Sequence, residues 1–197
     1  IQTCHEYGIE CYAWINPYRY HTSKNGTHGG GALDYEVTHP EWLMSGTTSN
    51  TVLNPAKKEV LQRILDVTRE IVTNYDLDGV VFDDYFYPQG GTAENSTAPD
   101  WADYQASGTS LSIGDWRRAN VNNMVGEVNK LIKSIKPYVC FGISPAGKSS
   151  PPNVETEYGM PALGGDFQYN SIYSDPLYWL KHQQLDFVSP QVYWVSE

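Results

Sequence analysis

The stretch Leu77-Asp78-Gly79-Val80-Val81-Phe82, running directly into Asp83-Asp84-Tyr85-Phe86-Tyr87-Pro88, decides the fold. A short apolar run rich in β-branched residues reads as a strand buried on both faces, the kind found in parallel sheets covered by helices. It stops on two carboxylates, so its C-terminal end opens at a polar mouth. Three further runs share this form. Glu10-Cys11-Tyr12-Ala13-Trp14-Ile15 ends at Asn16-Pro17, Tyr138-Val139-Cys140-Phe141-Gly142-Ile143 ends at Ser144-Pro145, and Leu185-Asp186-Phe187-Val188-Ser189 leads into Pro190-Gln191-Val192-Tyr193-Trp194.

Helical periods separate these runs. Val60, Leu61, Ile64, Leu65, Val67, Ile71 and Val72 form one apolar stripe, and Asn54-Pro55 is expected to cap its start. Val121, Met124, Val125, Val128, Leu131, Ile132 and Ile135 form another, expected to start on an acidic N-cap at Asp115 and to end at Lys136-Pro137. Asp175 to Gln183 reads as a short third helix. The polar stretches from Tyr18 to Thr51 and from Gln89 to Gly114 are too long for plain connectors and are expected to be functional loops.

Four strand–loop–helix units define an α/β chain and predict a partial (β/α)8 TIM barrel, since a complete barrel takes about 250 residues. Residues 1–197 are expected to form a single domain, truncated at both ends. Ile1-Gln2-Thr3-Cys4-His5-Glu6-Tyr7-Gly8 reads as a helix tail running into a Gly stop. An open dinucleotide-binding sheet shares the alternation, but no Gly-x-Gly-x-x-Gly follows any of these strands.

Composition narrows the partners. With 23 Asp and Glu against 13 Lys and Arg, the formal charge of −10 repels polyphosphates, so no nucleic acid is expected. No segment is long and apolar enough to predict a membrane span, and no leader is visible. Fifteen Tyr and six Trp against five Phe favour rings that join an apolar face to a hydrogen-bonding edge, a surface suited to sugars or to an ordinary core. Cys4, Cys11 and Cys140 have neither disulfide nor zinc spacing and read as buried thiols. The five His show no ligand pair, so neither metal nor cofactor is expected.

In a parallel barrel the chemistry hangs from the C-terminal strand ends. Those positions hold Asn16, Tyr18 and Arg19; Asp83, Asp84 and Tyr85; Ser144; and Gln191, Tyr193 and Trp194. With Gly79 and Val81 on the inward register, alternation makes Asp83 the inward carboxylate and Asp84 the rim residue. Both are catalytic candidates, the alternative being carboxylates that cap loop backbone or pair with Arg19. Glycosidic cleavage needs two carboxyl groups, and Asp84, Asp166 and Glu197 are candidates for the second. Asn16, Arg19, Ser144 and Gln191 are expected to bind substrate hydroxyls, and Tyr18, Tyr85, Tyr193 and Trp194 to offer ring faces. Asp115-Trp116-Arg117-Arg118 is expected to be structural, its arginines holding loop carboxylates.

Ala13-Trp14-Ile15-Asn16-Pro17-Tyr18-Arg19, Asp78 to Pro88, Asp115-Trp116-Arg117-Arg118-Ala119-Asn120, Phe141-Gly142-Ile143-Ser144-Pro145 and Ser189-Pro190-Gln191-Val192-Tyr193-Trp194 together resemble the glycosyl hydrolase-like 10 family. The resemblance implies that the four strands are strands three to six of the family barrel. It also implies bacterial, extracytoplasmic enzymes of the periplasm or cell surface, often lipoproteins, some acting on peptidoglycan strands stripped of peptide. The run Gly79 to Asp83 is similar to the nucleophile-bearing strand of alpha-amylase-type barrels, which favours Asp83. Relatives carry Glu directly after the Tyr-Trp pair, where this chain has Val195. The expected function is a glycoside hydrolase acting on a polysaccharide or peptidoglycan strand; the alternative is a catalytically silent glycan-binding barrel.

Overall fold

A computed structural model describes residues 1–22, 34–45, 50–83, 85–88, 91–147 and 167–193. In chain order the elements are α1 Gln2–Glu6, β1 Tyr12–Ile15, β2 Arg19–His21, α2 Tyr35–Thr38, β3 Leu43–Ser45, β4 Thr51–Leu53 and α3 Lys58–Asn74. There follow β5 Gly79–Asp83, α4 Trp101–Ala106, α5 Ile113–Ile135, β6 Cys140–Ser144, α6 Pro176–Lys181 and β7 Phe187–Val188. Strands β1, β5, β6 and β7 form a parallel sheet in that order. The order never reverses, and α3 and α5 cover the same face. That is the winding of consecutive barrel strands; a doubly wound sheet would switch direction and place helices on both faces.

Strand alternation sorts the side chains. Val80, Phe82, Phe141 and Ile143 are fully buried in one cluster with Val60, Ile64 and Val72 of α3 and Val121, Met124, Val125, Val128 and Ile132 of α5. Each such side chain removed from water contributes roughly 1.5–3 kcal/mol, so this helix-covered face is the main source of stability. Thr68 occupies the same stripe of α3 and satisfies its buried hydroxyl by donating to the Ile64 carbonyl at 2.8 Å. The helix-free face belongs to Tyr12, Trp14, Gly79, Val81, Asp83, Gly142 and Ser144. Trp14 is 59% exposed there, so none of the described helices covers it.

Two glycines shape this inner face. A Cβ on Gly79 would stand 2.1 Å from the Tyr12 ring, and one on Gly142 would stand 2.3 Å from the Phe187 ring. Tyr12 and Phe187 come from the flanking strands, lean over these glycines and meet edge to face with centroids 5.8 Å apart. The missing side chains therefore allow aromatic packing across the floor of the barrel.

Several boundaries differ from expectation. The Asn54-Pro55 pair does not cap α3: the Asn54 side chain accepts from the Ala56 amide at 2.9 Å in a local turn, and the helix begins at Lys58. The α5 cap is Ser112, which accepts from the Asp115 amide, so Asp115 sits inside the first turn. The stretch Tyr18 to Thr51 is not a plain loop. It contains α2 and contributes to a small antiparallel sheet of order β2–β4–β3. Likewise α4 lies within Gln89 to Gly114. The central strand runs one residue further than expected, because Asp83 pairs with Ser144 in the ladder. The three cysteines are free thiols and only half-buried.

Candidate active site

Asp83 is the last residue of β5 and follows Gly79 and Val81 on the helix-free face, so its carboxylate points along the inner surface of the sheet. It is buried, with 7% of the residue exposed. A carboxylate at that depth needs donors. Gln191 supplies one through Nε2, which lies 3.0 Å from Oδ1. Arg19 faces the other oxygen, Nη2 to Oδ2 at 3.9 Å.

Each donor is itself positioned. The Gln191 amide nitrogen also donates to the Ser144 carbonyl at 2.8 Å, so both of its hydrogens are engaged, and its Oε1 accepts from the Tyr193 hydroxyl at 3.0 Å. The Gln191 backbone amide donates to the Pro145 carbonyl at 2.7 Å, and a parallel bridge joins Ala146 to Gln191. The ends of β6 and β7 are thus tied together beyond their strands. Arg19 lies over the Tyr85 ring, its Cζ 4.0 Å from the centroid. That contact fixes the guanidinium. Among the described residues its N–H groups form no hydrogen bond, so they remain available to an incoming oxygen.

Chemically, this is an acceptor carboxylate framed by a cation and an oriented amide at the mouth of a parallel sheet. It can approach an electron-poor carbon or take a proton from water. The fold brings several of the sequence-predicted residues together here: Asp83, Arg19, Tyr85, Ser144, Gln191 and Tyr193. Their detailed contacts redistribute the expected tasks. The Ser144 hydroxyl donates to the Ser189 carbonyl at 2.9 Å and so braces the neighbouring strand end. Gln191 has committed both donors, which makes it a support for Asp83 first. One face of Tyr85 is occupied by Arg19, whereas Tyr193 is 84% exposed. Asn16, at the end of β1, keeps a buried Oδ1 with no hydrogen-bond partner among the described residues.

Tyr18 corrects the expectation of a sugar-stacking ring. It is fully buried and packs edge to face on Phe86 with centroids 6.1 Å apart, so neither ring face reaches a ligand. Burial also pushes its phenol well above the ordinary tyrosine range. Asp84, Trp194, Asp166 and Glu197 lie outside the described residues.

The sequence predicts that Arg117 binds a loop carboxylate, and Asp100 is the one it holds; neither side chain is exposed. What the sequence did not disclose is how much else joins them. Arg117 reaches Tyr173 and the carbonyls of Thr92 and Ala93, and its Cζ stands 5.8 Å from the centre of the Tyr87 ring. This network fastens the chain that leaves β5, four residues beyond Asp83. Arg118 pairs with Asp115 on the same helix instead. Among the described residues no group of three His, Cys, Asp or Glu side chains is arranged to hold a metal ion, and no helix is long and apolar enough to cross a membrane.

The family described as glycosyl hydrolase-like 10 matches residues 1–197. The curated protein named glycosyl hydrolase YngK, from Bacillus subtilis (strain 168), is 34% identical over 205 residues, covering 98% of this chain and 38% of that protein. Glycosyl hydrolase DigH of Escherichia coli (strain K12) is 32% identical over 206 residues, covering 98% and 45% respectively. The chain therefore spans less than half the length of these relatives. Among solved structures, the PgaB (BpsB) glycoside hydrolase domain from Bordetella bronchiseptica superposes with a TM-score of 0.52 at 12% identity, over 95% of this chain and 52% of that one. Alpha-L-fucosidase isoenzyme 2 from Paenibacillus thiaminolyticus gives 0.50 at 18% identity, over 79% and 23%. At such identities the likeness speaks for the fold, the α/β barrel architecture of glycoside hydrolases.

Proposed function

The chain belongs to the glycosyl hydrolase-like 10 family, and from that premise we propose that it cleaves glycosidic bonds of a polysaccharide or peptide-free peptidoglycan strand, with Asp83 as the principal carboxylate. The observation that carries this reading is the placement of Asp83: buried, inward at a strand end, and faced by Gln191 at 3.0 Å and Arg19 at 3.9 Å. Glycosidic cleavage uses one ionised and one protonated carboxyl group. The surroundings of Asp83 suit the ionised partner, since both neighbours present N–H groups and no acceptor faces it from either.

In that role Asp83 either bonds to the anomeric carbon as the glycosidic bond breaks, or takes a proton from the water that attacks it. The acid that protonates the leaving oxygen is assigned to Asp84, Asp166 or Glu197. Arg19 and Asn16 hold substrate hydroxyls, while Tyr193 and Trp194 flank the sugar. As part of the same proposal we place the complete protein outside the cytoplasm, where peptidoglycan lies.

The test is product release by the complete protein and its Asp83→Asn variant from a panel of polysaccharides and peptide-free peptidoglycan, read by mass spectrometry. Cleavage by the parent and a loss of about 10² or more in the variant is expected. Equal turnover by both proteins removes Asp83 from the chemistry. Retained binding without cleavage by either identifies a silent glycan-binding barrel.

A further inference from the structure

We propose that the outer wall of the barrel carries a second glycan-binding cleft, between α5 and α6, on the opposite side of the sheet from Asp83. The cleft measures about 480 Å³ and is lined by Arg118, Asn122, Asn123, Tyr169, Tyr178 and Gln184, among others. Its α5 residues recur at three- and four-residue intervals, so they form one stripe along the helix.

The case rests on unused amide groups gathered in one place. Asn122 accepts from the Trp179 indole N–H at 2.6 Å through Oδ1, which fixes its orientation and leaves its NH₂ without a partner among the described residues. Asn123 is exposed and its side chain makes no hydrogen bond among those residues. The Gln184 Oε1 is buried without a hydrogen-bond partner among the described residues. Gly126 is what admits Gln184, because a Cβ there would lie 2.9 Å from its Nε2.

The walls are aromatic and held by mutual contacts. Arg118 lies over the Tyr169 ring at 4.0 Å, donates to the Tyr169 carbonyl at 2.9 Å and is neutralised by Asp115. Tyr178 rests against His182 with centroids 4.1 Å apart. With its cation already paired, the cleft is not an anion site, and beside its amides and tyrosines only Leu111 and Ala119 add apolar surface. Side-chain amides and tyrosines suit a neutral ligand dense in hydroxyl or acetamido groups. The choice of glycan as ligand rests partly on the reading proposed above. The cleft would then grip a distant stretch of the same strand whose bond meets Asp83.

The test titrates the complete Asp83→Asn protein, which leaves the ligand intact, with the tetramer of β-1,4-linked N-acetylglucosamine or of β-1,4-linked glucose. The side-chain NH₂ resonances of Asn122, Asn123 and Gln184 are followed by NMR. Saturable shifts at these amides are expected with at least one tetramer, weakened roughly tenfold or more by Asn123→Trp, which blocks the cleft from an exposed position. An absence of amide shifts with both tetramers, or unchanged affinity in Asn123→Trp, overturns the proposal. Cleavage by the parent without amide shifts defeats the cleft alone, and amide shifts without any cleavage by the parent support the cleft while defeating the hydrolase reading.

Discussion

Arg117 and Asp100 meet in a two-point ion pair, Nε to Oδ2 at 2.7 Å and Nη2 to Oδ1 at 2.6 Å, with neither side chain reaching solvent. The remaining N–H groups of Arg117 go to the Tyr173 hydroxyl at 2.7 Å and to the carbonyls of Thr92 at 3.3 Å and Ala93 at 2.8 Å. All five donors are used. Burial acts to lower the pKa of the guanidinium, and the hydrogen bonds and charge of Asp100 outweigh it, so the side chain stays ionised. Tyr173 holds its place in the network with a left-handed backbone, φ 54°, an unusual cost for a bulky residue.

Removing one partner of this pair leaves the other charge buried. Arg117→Met or Asp100→Leu is therefore expected to destabilise the fold by about 3–5 kcal/mol. Arg117→Lys is expected to be poorly tolerated as well, since an ammonium cannot reproduce the fork. Denaturant midpoints measure this, and the double variant should cost clearly less than the sum of the single ones. Additive losses would mean the two side chains do not interact as described.

Gln191 is predicted to matter through Asp83. Gln191→Leu keeps the bulk of the side chain but removes the donor to Oδ1 and leaves the Ser144 carbonyl unpaired. On the substrate identified by product release, kcat should fall on the order of tenfold to a hundredfold, with a smaller change in KM, because a misplaced carboxylate slows the chemical step. A change confined to KM would instead return Gln191 to direct substrate binding.

The inner floor of the sheet predicts an overpacking effect. Gly142→Ala places a methyl group 2.3 Å from the Phe187 ring, and displacing that ring should cost about 1–3 kcal/mol. Combining it with Phe187→Ala removes the clash, so the methyl should add little further loss in that background. Equal penalties with and without the Phe187 ring would show that the glycine serves something other than ring packing.

Much of this arrangement is legible in the chain because it follows from periods. Apolar runs with small or β-branched residues locate the four parallel strands, and counting by twos from Gly79 is enough to place Asp83 on the inner face. Features that depend on distant partners are not legible in that way. Tyr18 looks like a rim aromatic until Phe86, sixty-eight positions later, closes over it. Strands β2, β3 and β4 have three residues each, too few to show an alternation, so their segment reads as loop. The partner of Arg117 could be guessed as acidic, but its identity as Asp100 depends on how the chain after β5 folds back on α5.

Asp78, just before β5, gives a pH-dependent test. Its carboxylate accepts from the Cys11 backbone amide at 2.7 Å and faces His5 Nε2 at 2.9 Å, joining the start of β1 and the end of α1 to the central strand. The Cys11 amide, and after it His5, lower its pKa below the ordinary aspartate value of 3.8. A carboxyl group whose pKa is depressed by folding stabilises the native state fully above the unfolded value, and that contribution disappears as pH falls through the folded value. Asp78→Asn retains an acceptor for the Cys11 amide but loses the charge. The parent should therefore be more stable than Asp78→Asn at neutral pH, with the gap closing as pH drops below about 3.8. Thermal unfolding of both proteins across that range measures the gap. A gap that stays constant, or widens, on acidification would mean that the ionised carboxylate is not what ties these three elements together.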